Sequence, residues 1–107
     1  MMMDRLTEQV AKEARDLQIL QAVVDHHPIG IVRISKETGV PEHKVRYSLR
    51  MLENDGFIDP TQQGAVPAED IDERVDDINA GLDELAERVD SLSSAADVVE
   101  AAAEPEA

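Results

Sequence analysis

The amino-acid sequence predicts a mainly α fold with one small β-hairpin (α+β), followed by a long coiled-coil-like helix. Three observations carry this. Apolar residues recur at helical spacing in separate segments before residue 56. Pro28, Gly39, Pro41, Gly56 and Gly64 punctuate those segments. Beyond residue 69 an unbroken heptad pattern runs as far as Leu92.

The first helix is expected over residues 4–25, where Leu6, Val10, Leu17, Leu20 and Val24 recur near the 3.6-residue period with Ala14 between them. Pro28 ends it, because the residue before a proline is pushed out of the helical region. Residues 31–38 form a second, short helix, although its β-branched residues also suit a strand. Gly39 supplies its stop. Pro41 opens a third helix at the first helical position, where its missing N–H costs nothing, and Gly56 closes that helix after about Asp55. Phe57–Asp59 reads as a strand, residues 60–64 as a turn, and Ala65–Val66 as the return strand. The expected organisation is therefore a domain over residues 1–67 with an extended N-terminal helix, a dimerising amphipathic helix over 68–92, and an acidic disordered tail over 93–107.

The formal net charge is -14, and it is unevenly spread. Residues 1–64 carry 10 acidic and 8 basic side chains, whereas residues 65–107 carry 14 and 2. The first part therefore has room for a local basic face. A globally acidic chain normally argues against nucleic acid, because phosphate contacts supply most of the affinity. Molar salt removes that objection, since it shrinks the Debye length to about 3 Å. Three lysines (Lys12, Lys36, Lys44), two aromatics (Tyr47, Phe57) and many carboxylates resemble the composition of proteins from extreme halophiles.

The run from Ile34 to Ile58 carries a more specific likeness. Ser35 lies in the second helix, followed by the turn residues Gly39 and Val40. Val45 and Leu49 are placed inward on the third helix, and Leu52, Glu53, Gly56 and Phe57 form its exit. These residues resemble the core of archaeal (haloarchaeal-like) winged helix-turn-helix transcriptional regulators. The resemblance covers about half of the chain. It implies sequence-specific binding of double-stranded DNA by the third helix in the major groove, and a role as a transcription factor.

The residues support that reading on their own terms. At about 100° per residue, Val45, Leu49 and Leu52 share one sector of helix 41–55, while His43, Arg46, Tyr47 and Arg50 share the opposite one, with Lys44 at its flank. Arginine offers guanine edges or phosphates a planar fork of donors. Arg33 and Lys36, on the second helix, are expected to hold the DNA backbone. The expected wing, Gln62-Gln63-Gly64, carries no basic residue.

Ile71, Val75, Ile78, Leu82, Leu85, Val89 and Leu92 follow one another at spacings of 4, 3, 4, 3, 4 and 3. This is a heptad seam about 32 Å long at about 1.5 Å per residue. The expected partner is a second copy of the chain, with the N-terminal seam Met3, Leu6, Val10 and Leu17 as a further contact. Folding back onto its own chain and pairing with another protein are the alternatives.

No phosphate-cradling glycine motif or nucleophile elbow is present, so the chain is not expected to be an enzyme. His26, His27 and His43 read as turn and surface residues, so neither metal nor cofactor is expected, nor a small-molecule ligand. No apolar run approaches the roughly 20 residues that span a bilayer. Met1–Arg5 lacks the apolar stretch of a secretion signal, so a cytoplasmic location is expected. The competing function is a winged-helix and coiled-coil module that binds proteins and not DNA.

Overall fold

The computed structural model describes residues 1–103. The elements are α1 (Met2–His26), α2 (Ile31–Thr38), α3 (Glu42–Asn54), β1 (Ile58–Thr61), β2 (Gly64–Pro67) and α4 (Ile71–Ala103). The fold is thus mainly α with a two-stranded antiparallel hairpin and a long C-terminal helix. Met1–Ile71 forms one compact unit and the chain from Asp72 onward a second.

The core of the first unit is small. Ile19 and Val23 of α1, Ile29, Ile34 of α2 and Val45 of α3 have at most 1% of their surface exposed, and Leu52, Ile58 and Ala65 close the periphery. Each large side chain buried here contributes about 1.5–3 kcal/mol. The stripe expected to bury α1 is corrected. Of its residues only Leu20 is buried, while Leu6, Val10, Leu17 and Val24 stay exposed. Two reasons apply: Leu17 and Val24 lie beside the face that is buried, which is Ile19, Leu20, Ala22 and Val23, and within the first unit the short α2 and α3 cover only the C-terminal part of α1.

The link between α2 and α3 is a tight, hydrogen-bonded turn. Gly39 sits at φ +76 and its N–H donates to Ser35 O at 2.9 Å. Ser35 Oγ donates to Val40 O at 2.6 Å, and Thr38 Oγ1 accepts from Val40 N at 3.2 Å. Few backbone groups in the turn are left unpaired, so the direction of α3 relative to α2 is set locally. Pro41 caps α3 and does not occupy its first helical position, as had been expected. Its own backbone is extended, and its carbonyl accepts from Lys44 N and Val45 N, both at 3.0 Å.

The hairpin is longer than expected. Its register pairs Ile58 with Pro67, Asp59 with Val66, Pro60 with Ala65 and Thr61 with Gly64, so the loop is only Gln62-Gln63 and not residues 60–64. Pro60 fits inside β1 for a definite reason. Ala65 spends both backbone groups on Ile29, with Ile29 N to Ala65 O at 3.1 Å and Ala65 N to Ile29 O at 2.8 Å. Pro60 therefore faces Ala65 as a non-hydrogen-bonded pair, where its missing N–H costs nothing.

That bridge draws the backbone of Ile29 against Gly64. A Cβ at Gly64, whose φ is +129, would lie 2.5–2.8 Å from the N, C and O of Ile29. At Gly81 in α4 an added Cβ meets nothing within 4 Å. Gly64→Ala is expected to lose more than ~2 kcal/mol in urea unfolding, through strain and forced separation of the bridge. Gly81→Ala is expected to raise the stability of α4 by about 1 kcal/mol. Equal behaviour of the two variants would contradict this account of the hairpin.

Candidate nucleic-acid interface

The buried face of α3 is Val45, Ser48 and Leu52. Leu49, expected on that face, is only half-buried, and the corrected member is Ser48, with no exposed surface. A buried hydroxyl needs a partner. Ser48 receives one from α1, where Arg15 Nε donates to its Oγ at 3.0 Å. The Arg15 guanidinium also lies over the Tyr47 ring, 5.7 Å from its centroid. Arg15 was not singled out in the sequence. Its partner is 33 residues away, and periodicity along one helix carries no such signal.

With that face turned inward, His43, Lys44, Arg46, Tyr47 and Arg50 are all exposed. Among the described residues, none of Lys44, Arg46 and Arg50 is held in an ion pair.

The two basic residues of α2 differ. Lys36 is exposed and outside any ion pair. Arg33 belongs to a separate cluster at the end of α1: its Nε is 3.9 Å from Glu37 Oε1, its Nη2 is 3.5 Å from His26 Nδ1, and His26 Nε2 is 3.9 Å from Glu37 Oε2. These are surface contacts of small energy, but they direct Arg33 toward α1.

Beside the hairpin, Ile29, Leu49, Ile58 and Pro60 line a shallow cavity of about 340 Å³ in which Glu53 is the sole titratable residue. A lone carboxylate in such a setting makes no acid–base pair. Among the described residues, no group of three or more His, Asp and Glu is placed to hold a metal ion. No described helix is long and apolar enough to cross a membrane.

In the second unit, α4 continues to Ala103. It does not give way to a tail after Leu92, and residues 104–107 lie outside the described residues. The stretch that resembled a frayed tail is rich in alanine, the residue of highest intrinsic helix propensity. Val75, Leu82, Leu85, Val89 and Leu92 are exposed, and Ile71 and Ile78 are half-buried. A feature missed in the sequence is how the charge is sorted around this seam. From Arg74 to Ala95 the flanking positions are Arg74, Asn79, Gly81, Ala86, Arg88, Ser93 and Ala95. The carboxylates Asp76, Asp77, Asp83, Glu84, Glu87 and Asp90 all take the outer heptad positions. Arg88 Nη2 reaches back to Glu84 Oε1 at 2.7 Å.

Comparison of the chain with protein-family models and with curated proteins finds no match.

Proposed function

We propose that this chain is a sequence-specific double-stranded DNA-binding regulator of transcription, with α3 lying in the major groove, and not an enzyme. The observation that carries this is the outward face of α3. Two arginines, a lysine, a histidine and a tyrosine stand exposed on one helix, and its opposite face is locked into the core. A helix seated in this way presents side chains to base edges without itself having to order. His43, Arg46, Tyr47 and Arg50 face the bases, Lys44 and Lys36 the phosphates, and Arg33 joins them on release from Glu37.

The partner of the α4 seam is a second copy of the chain. Two such helices approach one another, over residues 74–95, through arginine, asparagine, glycine, alanine and serine flanks, and Asp72 is the one carboxylate that flanks the seam between Ile71 and Leu92. A homodimer carries two reading helices and suits a site with two half-sites. The N-terminal seam of α1 is a further contact between copies. The acidic surface fits a salt-rich, haloarchaeal-type cytoplasm, where the repulsion between acidic DNA and acidic protein is screened. The second reading, a protein-binding module that does not touch DNA, is favoured by the hairpin tip, where Gln62 and Gln63 are exposed and uncharged.

Fluorescence anisotropy against mixed genomic duplexes in high KCl separates the two readings. The wild type is expected to bind, and the Arg46→Ala, Arg50→Ala double variant to lose roughly 10- to 100-fold in affinity. Absence of binding by the wild type at every salt concentration where it is folded would leave the protein-binding module. Sedimentation equilibrium tests the seam. The wild type is expected to be dimeric, and Leu82→Asp with Leu85→Asp to be monomeric, because each places a carboxylate in the seam. A mass unaffected by the substitutions would reject α4 as the interface.

A further inference from the structure

We propose that Arg15 is a phosphate-binding residue of the same interface, reaching it from α1. This rests on the reading of α3 as the DNA-contacting helix and adds a contact on a second element.

An exposed arginine normally samples many rotamers and must give up that freedom to grip a ligand. Arg15 has already lost it. Its Nε donates to Ser48 Oγ at 3.0 Å, and Ser48 is wholly buried, so that end of the guanidinium is anchored in the core. Its Cζ lies over the Tyr47 ring, 5.7 Å from the centroid, and that ring is itself 48% exposed on the outward side of α3. Among the described residues no acceptor or ion-pair partner is recorded for its two terminal nitrogens.

A guanidinium has five N–H donors. With one committed to Ser48, the remaining four lie on Nη1 and Nη2, in the arrangement that grips two oxygens of a phosphate side by side. A helix serine can donate its hydroxyl hydrogen to a backbone carbonyl one turn back, which leaves the lone pairs of Ser48 Oγ to accept from Arg15. Its use of Arg15 brings a fixed positive charge beside Tyr47, where the backbone of a duplex seated on α3 passes. The ligand chemistry is a phosphate diester of that backbone.

The test measures duplex affinity by anisotropy across a KCl series for the wild type, Arg15→Gln, Arg15→Lys and the Arg46→Ala, Arg50→Ala variant, with thermal melts of each. Arg15→Gln is expected to weaken binding about 10-fold and to lower the slope of log K against log salt by about 1, the signature of one lost phosphate contact. Arg15→Lys keeps the charge and is expected to retain the slope while losing the fork, with affinity reduced several-fold. An Arg15→Gln protein with wild-type slope overturns the assignment, and if its affinity falls only in step with its melting temperature, Arg15 is a support for α3 alone. Should Arg15→Gln not fold, a wild-type affinity for Arg15→Lys overturns the fork. If the wild type binds no duplex, the DNA reading and this assignment fall together. If it binds, and only the Arg46, Arg50 variant is impaired, this assignment falls alone. Inorganic phosphate at constant ionic strength is expected not to displace the duplex, and displacement would mark a site for free phosphate and overturn the backbone contact.

Discussion

The structure depends on how α3 is seated. Val45, Ser48 and Leu52 occupy one side of it, and two of them have no exposed surface at all. Because side chains follow one another at about 100° around a helix, fixing those three fixes the rest. His43, Arg46, Tyr47 and Arg50 have no freedom to turn inward. The seat is held from two directions. The Gly39 turn and its Ser35 and Thr38 hydrogen bonds set how α3 leaves α2, and Arg15 joins α1 to the middle of α3 through the Ser48 hydroxyl. Ser48 is a wholly buried polar group whose hydroxyl accepts a directed bond, and that bond determines where a charge is placed at the surface.

The hairpin depends on a second close approach. Ile29 lies between α1 and α2, yet it pairs with Ala65 as a third, one-residue strand. The pairing requires that nothing project from Gly64, and it also lets a proline sit inside β1. The hairpin is thereby fastened to the helical core at one backbone position, and its Gln62-Gln63 tip remains exposed.

Much of this was legible in the sequence, for identifiable reasons. Gly39, Pro41 and Gly56 act through backbone restrictions that hold in any context. The ends of α2 and α3 followed from them, and the outward face of α3 followed from the helical period. What was not legible depended on partners distant in the chain. Nothing near Ser48 shows that it is buried, because its donor is in α1. The stripe on α1 looks continuous, and the short reach of α2 and α3 within the first unit leaves Leu6 and Val10 exposed. Pro60 looked like a turn residue because the Ile29–Ala65 bridge, which makes it acceptable in a strand, is non-local. The stretch after Leu92 was judged by its composition, and the helix propensity of alanine outweighed that. On α4 the heptad seam was plain, and the placement of Asp76, Asp77, Asp83, Glu84, Glu87 and Asp90 on its outer positions was equally legible from the same spacing.

These features converge on one claim: a locked inner face on α3 turns its basic outer face toward a duplex. The most direct test is to follow the backbone amide shifts of the isotope-labelled protein in high KCl as a bound duplex is titrated in. The account predicts that the largest shifts fall within residues 43–50, with the buried core at Ile19, Val23 and Ile34 nearly unmoved. Shifts confined to α4 or to the hairpin tip, with residues 43–50 unaffected, would contradict it.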